Sequence, residues 1–522
     1  MFGTNLFSLK LLILSACFLT FVSSRAPDFH SHPEFRDSEP LKKNHEAEFN
    51  TDYWKTVGSK VLEENLKKQK TQKIAKNIIL FLGDGLGVQT TSATRSYVGD
   101  PSISLAYEDF PYVGMSKTYC VDRQTADSAC SATAYLCGVK ANYETIGLNA
   151  KVQNKDCKAG QLEENRTPSI AKWAMDAGKA AGLVTTTRVT HASPTGVYGH
   201  IAFRDWENDE EVKKSGCDPK TTDDIAEQLI RDEVGSKLRV IMGGGRYNFR
   251  PVESMDEEGK PGKRLDGVDL IEEWKKSKNG KGNYVWNRQD LLKINATNTT
   301  TVLGLFEDGH TLYNLETIQL GRQDFEPTLT EMVDKAIDVL STEEKGYFLF
   351  VEGGRIDHAH HENQAKLSLD ETKEFAKAIQ MTKEKVDLEE TLIVVTADHS
   401  HAFSYGGYPG RDVDILGTNG QTANDGMESF ILSYANGMGS YEHVKKEGGR
   451  VDPKSFAKPI FFQYPGMIPN ELETHGGEDV GVYAIGPWSH LFTGNFQQFT
   501  IPHMMAYAAC IGNGLKACDD DK

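Results

Sequence analysis

Four apolar segments of this chain end in acidic or imidazole side chains. The apolar runs are NIILFLG, GLVTTT, YFLFV and TLIVVTA, and the polar residues follow each run within a few positions. A strand that is buried in a parallel sheet has no structural need for acids and histidines at its end. In open α/β sheets, ligands bind beyond the carboxyl ends of the strands. The pattern therefore predicts a mostly parallel sheet whose carboxyl edge carries one site for several metal ions.

The densest of these segments is FLFVEGGRIDHAHHE, residues 348–362. If a helix begins near Ile356, Asp357 and His361 are four residues apart on one face, which suits two ligands of one ion. The four segments together supply these candidate residues: Asp84, His191, Ser193, Glu352, Asp357, His358, His361, Asp398, His399 and His401.

A candidate nucleophile lies in DRQTADSACSATAYLCGVK, where Ser128 follows Asp127 and precedes a helix-compatible run of small residues. A serine at a helix start is most often only an N-cap. A zinc ion can instead deprotonate such a serine in place of a general base, and the helix N-terminus would favour a bound phosphate. The chain has no G-x-S-x-G elbow, which argues against a Ser-His-Asp hydrolase.

Arg204 and His475 are functional candidates only if they lie next to a metal site. Arg204 alone would be a surface or salt-bridge arginine, but next to metal ions its planar fork suits two phosphate oxygens. A single histidine before a strand, such as His475, is more often structural than a ligand. A catalytic zinc site needs three protein ligands, however, and His475 would complete the set begun by Asp357 and His361.

The domain organisation follows from the alternation of strand-like and helix-like segments. The chain has 522 residues without a long Pro/Gly/Ser linker, so we predict one α/β domain over residues 53–522 with helices on both faces of the sheet. Between His401 and His475, Gly, Tyr and Pro become frequent, which predicts an inserted loop or small β-subdomain at about residues 405–474. The net charge of −17 argues against a nucleic-acid partner bound through a basic surface.

The N-terminal part of the chain predicts export. Residues 1–24 have the pattern of a secretory signal peptide, and their apolar run is short for a membrane span of about 20 residues. Residues 25–52 are polar, and an amphipathic helix is predicted from Tyr53 onward. This helix either packs on its own domain or reaches a partner subunit, and the sequence alone favours the first alternative.

An exported chain can form disulfides and carry glycans. Seven cysteines follow the signal peptide, so at least one thiol is unpaired or bonded to another chain. Sequons begin at Asn165, Asn295 and Asn298. The chain stops at IGNGLKACDDDK, without the hydrophobic tail that directs a lipid anchor. We therefore expect a secreted, extracellular protein without a stable membrane anchor, or a lipid-anchored surface protein if the natural chain continues.

Six motifs together resemble those of the animal-type alkaline phosphatases, in particular the insect and vertebrate enzymes. They are LFLGDGLG, DSACSATAYLCGVK, THASPTGVYGH, FVEGGRIDHAHHE, TADHSHAFS and THGGEDV. The resemblance runs from about Tyr53 to Cys518. It implies an alkaline-phosphatase-like fold, and hydrolysis or transfer of phosphate monoesters through a phosphoserine with two Zn²⁺ and one Mg²⁺.

The resemblance also implies a role for each candidate residue. Ser128 would be the nucleophile and Arg204 the phosphate clamp. The first zinc ion would bind Asp357, His361 and His475, the second Asp84, Asp398 and His399, and the magnesium ion Asp84, Ser193 and Glu352. Three further histidines would lie around the magnesium and phosphate: His191, His358 and His401.

Further implications of the resemblance concern calcium, disulfides and assembly. A Ca²⁺ site would use the Phe306 carbonyl, Glu307, Glu326 and one acid of the SMDEEG loop, with Glu258 favoured over Glu257 and Glu253. Disulfides would join Cys157 to Cys217 and Cys510 to Cys518, with Cys137 free. Cys120 and Cys130 flank Ser128 and depart from the vertebrate pattern, so their pairing stays open. The enzyme would be a homodimer in which the helix from Tyr53 reaches the partner subunit.

Two other interpretations remain at this stage. A phosphodiesterase, sulfatase or mutase can be built on a related α/β scaffold, although the residues after Cys130 lack the sulfatase pattern C-x-P-x-R. A non-catalytic surface protein with the same fold is the second alternative. The joint presence of all the candidate ligands argues against it.

Overall fold

The computed structural model describes residues 46–519. The predicted signal peptide, residues 25–45 of the polar segment and the last three residues lie outside this range. Within it, we find no helix that is both long enough and apolar enough to span a bilayer.

A ten-stranded sheet forms the centre of the protein. The strands of the chain, in order, are β1 Asn77–Gly83, β2 Tyr112–Lys117, β3 Ala180–Arg188, β4 Val240–Gly244, β5 Gly282–Val285, β6 Thr301–Leu305, β7 Tyr347–Gly353, β8 Thr391–Ala397, β9 Ser400–His401, β10 Phe403–Tyr405, β11 Leu432–Asn436, β12 Gly466–Ile468, β13 His475–Gly476, β14 Val480–Ile485 and β15 Gly494–Gln497. The large sheet has the order β15-β2-β14-β8-β1-β7-β3-β4-β6-β5. The strands from β8 to β5 run parallel, whereas β14 is antiparallel to both of its neighbours. The predicted α/β fold with a mostly parallel sheet is confirmed.

Helices occupy most of the connections between these strands. The α-helices are Thr51–Lys67, Val88–Val98, Ser128–Cys137, Cys157–Gly160, Ile170–Asp176, Ala192–Thr195, Asp209–Lys214, Ile225–Arg231, Leu270–Ser277, Arg288–Lys293, Asn314–Gln319, Leu329–Leu340, Arg355–His361, Ala365–Lys385, Gly439–His443 and Thr500–Ala509. Short 3-10 helices lie at Glu46–Phe49, Glu163–Asn165, Gly235–Lys237, Arg246–Phe249, Ala296–Asn298, Pro453–Ser455, Ser489–Phe492 and Ala517–Asp519.

The sheet separates two apolar cores, as β1 illustrates. Ile78, Leu80 and Leu82 belong to one core, and Ile79 and Phe81 belong to the other. All five side chains are fully buried. Successive side chains of a strand point to opposite faces, and here both faces are covered. This explains why the central strands read as continuous apolar runs.

The segment between His401 and His475 contains a separate three-stranded sheet, β10-β11-β12. Its apolar side chains pack around Phe403, Phe430 and Leu432, in a cluster that also contains Ala93, Ala365 and Leu369 of two neighbouring helices. A connection this rich in Gly and Pro is therefore packed against the main domain, although its strands are only three to five residues long.

The helix predicted from Tyr53 forms at Thr51–Lys67, and we call it the exposed helix. Asn50 caps it by accepting a hydrogen bond from the backbone N–H of Asp52 at 2.9 Å. None of its residues is buried, and the side chains of Trp54 and Leu62 are more than half exposed. The alternative that the sequence favoured, packing on its own domain, is therefore wrong.

The disulfides agree only partly with the expectations. Cys157 is bonded to Cys217, and Cys120 is bonded to Cys130, which answers the question left open. Cys137 is a buried free thiol, as expected.

The expected Cys510–Cys518 disulfide is wrong, because both residues are free thiols. The Cys510 sulfur instead accepts the backbone N–H of Cys518 at 2.9 Å. One sequon is also unsuitable in the folded chain: Asn165 is buried and its amide donates to the Ala159 carbonyl at 2.9 Å. The sequons at Asn295 and Asn298 are exposed.

Candidate active site

Three acidic residues meet at the carboxyl ends of neighbouring strands. Asp84 follows β1, Asp398 follows β8, and Glu352 is the next-to-last residue of β7. Strand β1 lies between β7 and β8, with Gly83 paired to both Gly353 and Ala397. This register places the three carboxylates side by side. The sheet order thus produces the convergence that the apolar runs predicted.

The candidate nucleophile begins a helix of small residues, Ser128–Cys137, which we call the serine helix. The N-cap is Asp127, whose carboxylate accepts the backbone N–H of Cys130 at 3.2 Å. Ser128 is therefore free of the capping role. Its Oγ lies 3.4 Å from Asp84 Oδ1 and 3.3 Å from His399 Nε2. The hydroxyl faces the acidic edge of the sheet.

Three groups of possible metal ligands surround this edge, and in each group the ligand atoms lie within 4.8 Å of one another. The Asp357 cluster consists of Asp357, His361, His401 and His475. The Asp398 cluster consists of Asp84, Asp398 and His399. The Glu352 cluster consists of Asp84, His191 and Glu352, with Ser193 Oγ 3.4 Å from Asp84 Oδ2. The structure thus brings together the residues expected for each zinc and magnesium site, and His401 lies beside the first of them.

The acids of these clusters repel one another. Burial, followed by the charges of Asp398, Asp357 and Glu352, raises the pKa of Asp84 well above its ordinary value. Burial also raises the pKa of Glu352 to about 7. In these clusters, the buried carboxylate oxygens Glu352 Oε1 and Asp398 Oδ2 have no hydrogen-bond partner in the described part of the chain. Buried charge is stable only when it is paired or coordinates a metal, so these acids fit divalent cations.

The Asp357 cluster brings imidazole and carboxylate donors within reach of one metal ion. Asp357 Oδ1 lies 3.4 Å from both His361 Nε2 and His475 Nε2, and these two nitrogens are 3.0 Å apart. Burial lowers the pKa of His361 to about 4 and also lowers the pKa of His475. Two neutral imidazoles and one carboxylate therefore converge, which is a common donor set of catalytic zinc.

Arg204 lies beside the serine helix. Its Nη1 donates to Asp127 Oδ2 at 3.0 Å, and its Nη2 is 3.2 Å from His191 Nε2. Burial opposes its charge, but Asp127 and other acids keep the pKa of Arg204 above its ordinary value. The guanidinium is thus a fixed, permanent cation near Ser128. Its planar fork can bind two oxygens of a phosphate.

His310 is a site residue that the sequence reading missed. Its ring packs against His191 and His358, with ring centroids 5.3 and 4.2 Å away. Both of its nitrogens face donors of Arg188, and Arg204 and Arg355 face the other two rings. Guanidinium groups therefore surround this trio, which extends the positive side of the site. His310 follows the apolar run of β6, so the strand-end rule could have found it.

The residues expected for calcium lie together in a separate group. Arg322 Nη2 donates to Glu258 and to Glu307, at 2.7 Å in each case. Burial raises the pKa of Glu307, and burial followed by the charge of Glu307 raises the pKa of Glu326 well above its ordinary value. Glu307 directly follows Phe306.

The two alternative acids for this group lie elsewhere. Glu257 pairs with Arg250 at 2.6 Å, and Glu253 is exposed. The geometry thus favours Glu258 as the acid that the SMDEEG loop contributes.

Comparison with known proteins places this geometry in one family. The pattern of the alkaline phosphatase family matches residues 75–511. A membrane-bound alkaline phosphatase of Bombyx mori is 44% identical over 487 residues, which cover 90% of this chain and 88% of that protein. The tissue-nonspecific isozyme of Homo sapiens is 42% identical over 495 residues, which cover 91% of each chain.

Solved structures show the same fold at lower identity. The alkaline phosphatase of Thermus thermophilus aligns with a TM-score of 0.60 and 21% identity, covering 87% of this chain and 96% of that chain. The alkaline phosphatase of the Antarctic bacterium TAB5 aligns with a TM-score of 0.56 and 21% identity, covering 85% of this chain and 100% of that chain. The chain belongs to the alkaline phosphatase family, enzymes that hydrolyse phosphate monoesters through a phosphoserine intermediate.

Proposed function

We propose that Ser128 is the nucleophile of this hydrolysis, and that the three clusters hold two zinc ions and one magnesium ion. One observation carries the proposal: the hydroxyl of Ser128 lies within 3.4 Å of both Asp84 and His399. Asp84 and His399 belong to the Asp398 cluster, so the nucleophile is next to a cation site. The zinc ions would occupy the Asp357 and Asp398 clusters, and magnesium the Glu352 cluster.

The donor atoms support this distribution of ions. The Asp357 and Asp398 clusters combine imidazoles with carboxylates and contain no thiolate, which suits zinc. The oxygen atoms of Asp84, Ser193 and Glu352 suit magnesium, which prefers hard oxygen ligands. Bound divalent cations supply Lewis acidity that stabilises negative charge on the attacking and leaving oxygens.

The chain's own residues would carry out two displacements at phosphorus. Ser128 Oγ bonds to phosphorus while the bond to the alcohol oxygen breaks, and the alcohol leaves. Water then replaces the serine oxygen and releases inorganic phosphate. Arg204 would hold two phosphate oxygens in both steps, because Asp127 fixes its guanidinium from the other side at 3.0 Å. The N-terminus of the serine helix adds a favourable field for the phosphate.

His191 and His358 would line the site but would take no part in proton transfer. Burial, together with Arg204 for His191 and Arg355 for His358, holds the pKa of each imidazole well below its ordinary value. Both rings therefore stay neutral near the magnesium site.

We also propose that the group of Phe306, Glu307, Glu326 and Glu258 would bind a structural calcium ion.

Metal analysis of the purified protein tests the assignment of ions. Chelation should remove activity, and zinc with magnesium should restore it. His475→Ala should lower the zinc content by one ion, because the Asp357 cluster then keeps too few ligands. His490→Ala, at a half-exposed histidine outside the clusters, is the matched control. Unchanged zinc in His475→Ala would refute the assignment.

We also propose a homodimer in which the exposed helix contacts the partner subunit. Its support is the row of apolar side chains that a single chain leaves in solvent, which includes Trp54, Val61, Leu62 and Leu66. Exposed apolar patches of this kind mark interaction surfaces. Trp54→Asp should shift the mass in sedimentation from dimer to monomer, whereas Lys60→Asp on the same helix should not. A wild-type monomer would reject the proposal.

The inserted segment and the cellular location are the last parts of the proposal. We assign residues 405–474 to a small subdomain of the catalytic domain over 53–522, because a separate three-stranded sheet forms there.

The disulfides Cys120–Cys130 and Cys157–Cys217 support an exported protein, since such bonds persist in oxidising compartments. Assaying medium and membranes of secreting animal cells, with and without a phosphatidylinositol-specific phospholipase, separates a secreted from a lipid-anchored enzyme.

A further inference from the structure

Glu473 is a buried acid beside the Asp357 cluster that no sequence motif singled out. Its side chain is only 1% exposed. Its carboxylate contacts Nδ1 of His401, and Nε2 of the same ring lies 2.6 Å from Asp357 Oδ1. Two carboxylates therefore occupy both nitrogens of His401. The imidazole of His401 is a bridge between the two acids and not a free metal ligand.

The backbone of Glu473 holds a second member of the cluster. Its carbonyl oxygen lies 2.5 Å from His361 Nδ1, and its N–H donates to the His361 carbonyl at 2.8 Å. A carbonyl can only accept, so the proton of His361 must sit on Nδ1. The lone pair of Nε2 is then directed towards Asp357 and His475. Outer partners of this kind set the tautomer and the orientation of ligating histidines.

The residues after Glu473 place the third member. Strand β13 pairs with β9, so that His475 is opposite His401. His475 Nδ1 lies 2.8 Å from the Ala126 carbonyl, which leaves Nε2 for a ligand. A short piece of chain thus touches every candidate ligand of one ion. It reaches Asp357 through His401, His361 through the backbone, and His475 through the following strand.

We propose that Glu473 is the positioning residue of the Asp357 cluster, and that its carboxylate, acting through His401, orients Asp357 for the first zinc ion. The inference rests on the proposed zinc assignment and extends it to a residue outside the ligand set. Because Glu473 faces His401 and not the cation, its removal should change the affinity and geometry of the site without removing a ligand.

Substitutions at Glu473 separate orientation from bulk packing. In Glu473→Gln, the amide oxygen can still accept the hydrogen bond from His401 Nδ1, so the ring keeps its place but loses a charged partner. In Glu473→Ala, His401 has no partner on that side and can rotate away from Asp357. Glu471→Ala is the matched control, because Glu471 is an exposed acid two residues away.

The test measures zinc affinity by competition with a chromophoric chelator, and the visible spectrum of the cobalt-substituted protein. We expect Glu473→Ala to bind one zinc ion about 10- to 100-fold more weakly and to lose the absorption of one tetrahedral cobalt site. Glu473→Gln should lie between this variant and wild type, and Glu471→Ala should match wild type. Wild-type affinity and spectrum in Glu473→Ala would overturn the inference.

Two further results keep the test decisive. If Glu473→Ala does not fold, Glu473→Gln carries the comparison, and its equality with wild type in both measurements overturns the inference. If His361→Ala binds as much zinc as wild type, the zinc assignment itself fails. That result differs from the case in which His361→Ala loses zinc but the Glu473 variants do not, which refutes only the role of Glu473.

Discussion

The serine helix and the exposed helix are built from the same hydrogen bonds but differ in everything around them. All ten residues of Ser128–Cys137 are buried, whereas none of the 17 residues of Thr51–Lys67 is. The first helix is too short to be stable alone, so its neighbours hold it. The second leaves apolar side chains such as Leu62 and Leu66 exposed. One helix is part of a packed core, and the other lies at the surface of the described chain.

The charges of the two regions differ in the same way. On the exposed helix, Lys55 pairs with Asp52 and Lys60 with Glu64, each within one turn. Such exposed pairs contribute little to stability. The serine helix instead faces buried acids, and burial with mutual repulsion raises the pKa of Asp84. The side chains of the buried region are therefore fully packed, but its acidic groups lack compensating positive charge. Bound cations would supply that charge.

The largest expected effect on turnover comes from removing the disulfide that holds the serine helix. The Cys120–Cys130 disulfide is buried and ties this helix to the loop after β2. Cys120→Ser with Cys130→Ser should lower the free energy of unfolding by about 3 kcal/mol, since the bond closes a short loop. It should also lower kcat by about 10- to 100-fold, because Ser128 is no longer held in place. Denaturant unfolding and steady-state kinetics measure both effects.

The second disulfide supplies the control for this prediction. Cys157 and Cys217 are 60 residues apart in sequence, so their removal should cost about 4 kcal/mol in the chain-entropy account. This bond does not touch the serine helix, and kcat should stay close to wild type. Equal loss of kcat in both double variants would mean that general stability, and not the position of Ser128, limits turnover.

The next prediction concerns the pH dependence of stability that Glu352 causes, and it is tested on metal-free protein. The folded pKa of Glu352 is about 7, above its ordinary value of 4.5. The folded chain therefore keeps the proton of Glu352 longer than the unfolded chain does. The stability that this proton gives is present below pH 4.5 and is lost as pH rises towards about 7.

Comparison with Glu352→Gln isolates this carboxyl group from the other titrating residues. The stability of wild type minus that of the variant should fall by about 3 kcal/mol between pH 4.5 and pH 7. Urea unfolding in the presence of chelator measures the difference at each pH. A difference that does not change with pH would contradict the account of the unpaired buried acids.

The smallest effect comes from one substitution made in both regions. A Cβ at Gly196 would lie 2.8 Å from the Ala132 Cβ of the serine helix, whereas a Cβ at Gly58 of the exposed helix would meet nothing within 4 Å. Gly196→Ala should therefore destabilise the protein by about 1–3 kcal/mol. Gly58→Ala should stabilise the exposed helix by up to about 1 kcal/mol. Thermal unfolding of both variants checks the pair, and the same sign of change in both would contradict the comparison.

The strand ends and the fold were legible in the sequence because buried parallel strands tolerate few polar residues. Asp84, Glu352 and Asp398 therefore stood out at the ends of apolar runs, and the parallel order brought them together. The direction of β14 was not legible, because a buried apolar run reads the same whether its neighbours are parallel or antiparallel. The registers with β8 and β2 show it.

Residues that act through a partner were harder to find. His310 contacts Arg188, and Glu473 contacts His401. Each partner is distant in sequence, so no local motif marks these residues. The environment of the exposed helix was misjudged for a related reason. Its amphipathic pattern predicts that one side packs against other residues. The pattern does not show whether those residues belong to the same chain.

The central claim is that the buried serine helix presents Ser128 as the nucleophile, and phosphoenzyme trapping tests it directly. Wild type would be mixed with a phosphate monoester that carries labelled phosphate, quenched in acid within one turnover and digested for mapping. Ser131→Ala is the control, because the Ser131 hydroxyl donates to the Asp127 carbonyl at 2.8 Å and faces no cluster. We predict label on Ser128 in wild type and in Ser131→Ala, and none in Ser128→Ala with its metal content retained. Label on another residue, or full turnover by Ser128→Ala, would contradict the account.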